Sequence, residues 1–151
     1  MNDGKALQAD DGVRRGGVLP VPDGRSRPFW EAAAAGELRL PCCCRCGILH
    51  FPPPARCPAC LGAEFVWTRL SGRGGLRSWT ELFVEAVPGT APPTIVVEIE
   101  LAEQAGLVVV ASGGDPRLRE LELDSQVQVI FRETDERVFL PFVVPVESGS
   151  A

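Results

Sequence analysis

Tyrosine is absent from the 151 residues, and the chain holds a single histidine, His50. One imidazole cannot build a nucleophile-base-orienter triad, and no partner that would orient it is identifiable in the sequence. His50 therefore reads as a residue beside its neighbouring motif rather than as a base, and no catalytic residue is assigned. Long apolar runs are missing too: stretches such as residues 107–111 fall far short of a bilayer span. Residues 1–7 carry two charges and no apolar core of a secretory leader. These absences lead us to expect a cytoplasmic protein with no membrane segment and with reduced thiols.

What the sequence does have is six cysteines, four of them in two close pairs: Cys43 with Cys46, then Cys57 with Cys60, ten residues lying between the pairs. Each C-x-x-C turn aims two thiolates at one point, and two such turns close the S4 shell that zinc prefers. Gly47 suits the turn after the first pair because that position needs a residue tolerant of positive φ. Cys42, Cys43 and Cys44 form a run, so Cys42 with Cys46 is a competing register, though Cys43 with Cys46 is the better one. Rubredoxin-type iron uses a similar shell, which leaves iron as the alternative to a structural zinc.

Charge is unevenly spread. Through residue 80 there are eleven basic and seven acidic side chains, and beyond it four basic and thirteen acidic. Zinc ribbons and small β-barrels both occur in single-strand nucleic-acid binding, so that function is a competing reading. It needs a sustained basic groove with stacked aromatics, and an acidic second half argues against it.

Residues 1–25 show no apolar period and read as a flexible N-terminal arm or as a clasp that orders on a partner. A short helix is expected from Ser26 or Arg27 to Ala35, with Pro28 in its first turn and Gly36 as its stop. So short a helix must dock to survive, through Phe29 and Trp30, either on its own domain or on another subunit. Residues 38–40 enter the ribbon and residues 64–70 leave it as strands. Ser71-Gly72-Arg73-Gly74-Gly75 then reads as a break between modules. Strand-like runs follow at 76–84, 94–101, 107–112, 126–132 and 138–143, with a short helix or turn expected at 116–121. Three strands, a connector and two strands fit a closed oligonucleotide/oligosaccharide-binding (OB) barrel. The expected fold is mainly β: arm 1–25, helix plus rubredoxin-like zinc ribbon 26–70, five-stranded OB-fold barrel 71–146 and a flexible tail 147–151.

Weaker constellations are the alternating Glu98 and Glu100, with Glu103 beyond them, which read as a solvated outer face, and Arg69, Arg73 and Arg77 around the glycine loop. The arginines could receive a phosphate through guanidinium forks and loop N–H groups.

The set Phe29-Trp30-Glu31, Gly36-Glu37-Leu38, Cys43-x-x-Cys46-Gly47, Phe51-Pro52-Pro53, Cys57-Pro58-x-Cys60, Ser71-Gly72-Arg73-Gly74 and Leu140-Pro141 resembles the zinc-ribbon plus OB-fold proteins of acyl-CoA metabolism, long catalogued as a domain of unknown function. The resemblance covers about residues 27–145. It implies a chain without catalytic residues of its own that assembles in a hetero-oligomer with a thiolase-superfamily subunit. The associated reactions are acyl transfer, thiolysis or retro-aldol cleavage of acyl-CoA side chains, including those of steroids. It also implies zinc on Cys43, Cys46, Cys57 and Cys60, acyl-CoA at or near the subunit interface, Arg69, Arg73 and Arg77 as candidates for the coenzyme A phosphates, and Phe29, Trp30 and Trp79 as candidate partner contacts. Relatives often place tyrosines where this chain has Leu76-Arg77-Ser78-Trp79, and there Trp79 offers a stacking face and an N–H donor instead.

Overall fold

Two glycine-punctuated segments set the architecture, and the computed structural model describes it for residues 19–86, 90–134 and 137–147. Residues 1–18 of the arm and 148–151 of the tail lie outside the described residues.

The helix α1 (Arg27–Ala34) has Pro28 in its first turn and ends in a left-handed Gly36 at φ 73°. The Gly36 N–H donates to the Ala33 carbonyl and the Glu37 N–H to the Ala32 carbonyl, both at 2.9 Å, which satisfies two carbonyls that a helix end would otherwise leave open. Phe29, Ala32 and Ala33, spaced three and four apart, form its buried stripe. That stripe rests on β1 (Leu38–Cys43), β6 (Gln126–Glu133) and β7 (Phe139–Pro145).

Strand β1 pairs antiparallel with β2 (Phe65–Leu70), from Leu38 opposite Leu70 to Cys43 opposite Phe65. This two-stranded ladder is the stem from which residues 44–64 project. The remaining strands, β3 (Arg73–Leu82), β4 (Thr94–Leu101), β5 (Val108–Gly113), β6 and β7, close a barrel in the order β3-β4-β5-β7-β6. All its pairs are antiparallel except β5 with β7. That five-stranded order, with a connector between the third and fourth strands, is the OB barrel. The connector is a single 3-10 turn, Pro116–Glu120, and its Leu118 is fully buried against the barrel.

The alternation of β4 is strict: Ile95, Val97, Ile99 and Leu101 face inward while Val96, Glu98 and Glu100 are half-exposed outside. Glu98 and Glu100 thus lie on the outer barrel face. One apolar cluster runs from Phe29, Leu38, Leu40 and Leu70 into the barrel residues Leu76, Ile99, Val127 and Val143, so helix, stem and barrel share a core.

The glycine loop departs from expectation. Only Ser71 and Gly72 interrupt the strands; Gly74 and Gly75 lie inside β3, with Gly74 opposite Leu101. A Cβ on Gly74 would overlap the Glu100 carbonyl oxygen, so this glycine is there for close strand approach rather than to break the strand. At the other end β3 stops at Leu82, leaving Phe83 and Val84 outside it and exposed.

Candidate metal centre

Each half of the centre is a tight turn closed by two backbone bonds. In the first, the Gly47 N–H donates to the Cys43 carbonyl at 2.8 Å and the Cys43 N–H to the Ile48 carbonyl at 2.9 Å. In the second, the Leu61 N–H donates to the Cys57 carbonyl and the Cys57 N–H to the Gly62 carbonyl, both at 2.8 Å. The residue after each second cysteine is left-handed, Gly47 at φ 74° and Leu61 at φ 63°. A leucine there works against its own Cβ by about 1–2 kcal/mol, so the turn is imposed on the second knuckle rather than chosen by it.

The four sulfurs of Cys43, Cys46, Cys57 and Cys60 lie within 4.8 Å of one another. The closest separations cross between knuckles, Cys43 to Cys60 and Cys46 to Cys57, each 3.5 Å. A zinc ion with Zn–S of about 2.3 Å sets sulfurs roughly 3.8 Å apart in a tetrahedron, inside that range. Disulfide sulfurs would be about 2.0 Å apart, and all six cysteines are free. Cys57 and Cys43 are buried and Cys60 is half-buried.

Ionisation of the set is uneven. Chiefly the Cys46 N–H, with that of Arg45 and the Cys60 and Cys46 thiols, holds Cys43 down at about 7 against the pull of burial. Cys46 has the Ile48 N–H acting to lower it, yet burial and the Cys57, Cys60 and Cys43 thiols together push it up to about 12. Cys60 is also raised: the Gly62 N–H and the Cys46 thiol act to lower it, but burial and the Cys43 and Cys57 thiols outweigh them. Four thiolates this close repel one another unless a cation sits among them. The donor set fits structural zinc. When bound, the ion would hold the four sulfurs ionised and fasten the two knuckles together.

Neighbouring groups support this shell. The Arg45 guanidinium donates to the Cys60 carbonyl at 3.1 Å and that of Arg56 to the Leu61 carbonyl at 3.2 Å, placing two positive charges by the second knuckle. His50 Nε2 is 3.3 Å from Cys57 Sγ, and the imidazole stands edge-on to Phe65 at 6.0 Å. His50 thus lies directly beside a ligand. Cys42 turns away, its thiol donating to the Gly47 carbonyl at 3.3 Å, and Cys44 is exposed; the register is Cys43 with Cys46.

The ribbon is tied to the barrel by Gln104, in the turn between β4 and β5. The Leu49 N–H donates to its Oε1 at 2.8 Å and its Nε2 donates to the Leu49 carbonyl at 3.0 Å, imitating one rung of a strand ladder. Beside it the Ser71 N–H donates to Glu103 Oε1 at 2.6 Å. Nothing local in the sequence signals either clamp, since the partners are 55 and 32 residues apart.

The other candidate residues are dispersed. Arg69 lies 3.4 Å from Glu37, and Arg77 lies 3.8 Å from Glu100 and 4.0 Å from Asp124. Arg73 is exposed and has no carboxylate beside it among the described residues. The loop N–H groups of Ser71 and Arg73 are already taken, by Glu103 and by the Ser71 hydroxyl. Phe29, considered as an anchor on another subunit, is covered by its own chain: 4% exposed and packed against Trp30, Phe51 and Phe131 with centroids 4.9, 5.6 and 6.1 Å away. Trp30 packs at the edge of the same core, while Trp79 stays 37% exposed.

Comparison with known proteins agrees with this geometry. The domain family described as ChsH2, rubredoxin-like zinc ribbon domain, matches residues 30–66, the span holding all four sulfur ligands. Residues 30–66 thus resemble a ChsH2-type zinc ribbon. A chain of the solved structure described as an Ltp2-ChsH2(DUF35) aldolase is 26% identical, with a TM-score of 0.70 over 84% of this chain and 98% of that one. A protein of unknown function from the DUF35 family of Sulfolobus solfataricus shares the fold at 14% identity and a TM-score of 0.50, over 70% of this chain and 77% of that one. No curated protein sequence matches. The ChsH2-type ribbon and the barrel behind it thus give the zinc-ribbon plus OB-fold architecture of the DUF35 proteins.

Proposed function

We propose that this chain is the non-catalytic accessory subunit of a thiolase-superfamily acyl-CoA complex, a thiolase, acyl transferase or retro-aldolase. The observation that carries the reading is the likeness to a chain of the Ltp2-ChsH2(DUF35) aldolase, which extends through ribbon and barrel over 98% of that chain. Steroid side-chain degradation is one setting for such an activity. Zinc fixes the ribbon, the shared core fixes the ribbon to helix and barrel, and the assembled surface orders the partner's active-site entrance. That contribution is positional, holding substrate where the partner's own groups can reach it.

Coenzyme A phosphates would meet Arg73 first, because Arg69 and Arg77 already face carboxylates. Both arginines are exposed and their ion pairs weak, so a phosphate could recruit them as well. The six free thiols suit a reducing cytoplasm, and no helix among the described residues is long and apolar enough to cross a membrane.

Native mass spectrometry of the protein purified gently from its own cells tests the assignment. One zinc and one thiolase-sized subunit on each chain is the expected result. A zinc-loaded chain without such a subunit, above all one retaining an oligonucleotide, would overturn it.

A further inference from the structure

Strand β3 changes its surroundings halfway along. Up to Leu76 it is paired on both edges: β4 lies on one side, and β6 on the other from Arg73 to Gly75. Two bonds extend the second side, from the Leu76 N–H to the Ser125 carbonyl at 3.0 Å and from the Asp124 N–H to the Leu76 carbonyl at 2.7 Å. The register with β4 then shifts between Leu76 and Ser78. From residue 78 to 82 the strand pairs with β4 alone, and among the described residues no backbone group bonds its other edge.

An unpaired edge is a template for another strand, and proteins blunt such edges with lysine, proline or charge. Residues 78–84, Ser-Trp-Thr-Glu-Leu-Phe-Val, contain neither lysine nor proline. Their one charge, Glu81, is engaged by the Arg119 guanidinium at 2.7 Å. The same stretch exposes Trp79, Leu82, Phe83 and Val84, four of the nine large apolar side chains exposed among the described residues. Open backbone and clustered apolar surface therefore coincide on one short segment.

We propose that residues 78–82 form a docking edge that accepts an extended strand of the thiolase-like partner subunit, with Trp79 and Phe83 covering that strand's apolar side chains. This rests on the accessory-subunit reading and names the surface through which it would operate. The occupant is extended because the open groups are strand N–H and C=O groups, and five residues offer about 17 Å of ladder. A second copy of this chain is a poor occupant. Antiparallel self-pairing about Thr80 sets Trp79 against Glu81 and Ser78 against Leu82, and self-pairing about Glu81, which brings Trp79 opposite Phe83, sets the two Glu81 carboxylates against each other. A partner strand with apolar residues at alternate positions makes the apolar pairs without opposing two like charges.

Hydrogen–deuterium exchange on the full, zinc-loaded chain, alone and bound to the thiolase-like subunit that co-purifies with it, reads the edge directly. The expected result is at least tenfold slower exchange across residues 78–82 in the complex. Trp79→Lys with Phe83→Lys should weaken the complex at least tenfold while zinc content and circular dichroism stay unchanged. A complex whose residues 78–82 exchange as fast as in the free chain overturns the edge and leaves the accessory role standing. Failure to find any thiolase-like subunit overturns both. Protection of the same residues in a homodimer of the free chain overturns the hetero-partner in favour of a second copy.

Discussion

Between Cys43 and Glu64 the only buried side chains are two cysteines, Cys43 and Cys57, whereas the barrel closes over Leu76, Val97, Ile99, Val109, Leu118, Val127 and Val143, each at most 1% exposed. The barrel is thus held by apolar surface removed from water, and a sizeable core makes that sufficient. The ribbon buries too little for that and depends on sulfur and a cation. Its stem is the exception, because Leu38, Leu40 and Leu70 belong to the barrel's own core cluster. The difference suggests that the molecule has one hydrophobic body with a metal-held extension, joined where β1 and β2 meet that body.

The largest way to break the comparison is to remove one sulfur. Cys57→Ser should abolish stoichiometric zinc, measured by elemental analysis, and remove a metal contribution on the order of 10 kcal/mol from the ribbon. The strands β4 and β5 should keep their exchange protection. Next comes the opposite cut: Ile99→Ala, at a fully buried barrel position, should cost about 3 kcal/mol in urea unfolding, with one zinc per chain retained before the transition.

A smaller change sharpens the contrast between the knuckles. No atom lies within 4 Å of where a Cβ on Gly47 would sit, so the cost of Gly47→Ala comes only from its φ of 74°. About 1 kcal/mol is expected, read as a roughly fivefold loss of zinc affinity in a chelator competition. Leu61 holds the matching position with its Cβ already in place, so Leu61→Ala should leave affinity nearly unchanged.

The smallest effect lies at the 3-10 turn of the barrel. Asp115 is held below its ordinary 3.8, first by its side-chain hydrogen bond with Arg117 and then by the Arg117 N–H. A depressed carboxylate contributes stability that is complete above about pH 3.8 and is lost as pH falls through the lower folded value. Asp115→Asn should flatten only that acid limb of the stability curve.

Much of the fold was legible because its signals are local. Each C-x-x-C turn sits within a few residues, Pro28 and Gly36 bracket α1, and strict alternation from Ile95 to Leu101 declares β4. The knuckle register, Cys43 with Cys46, was legible in the spacing, and the Cys42 thiol on the Gly47 carbonyl agrees with it. What stayed hidden depends on distant chain. Gln104 looks like any turn residue until Leu49 arrives beside it. The Gly74 requirement comes from Glu100 across the ladder. Phe29 reads equally well as an internal or an external anchor until Phe51 and Phe131 close around it. The open edge at residues 78–82 is likewise a statement about which strand fails to follow β3, and no single segment encodes that.

The most direct test of a metal-held ribbon on an apolar barrel is hydrogen–deuterium exchange of the full chain with zinc bound and after chelation. The account predicts that residues 44–64 lose protection on chelation while β4, β5 and β6 retain theirs. Simultaneous loss of protection in ribbon and barrel, or an unchanged ribbon without its metal, would contradict it.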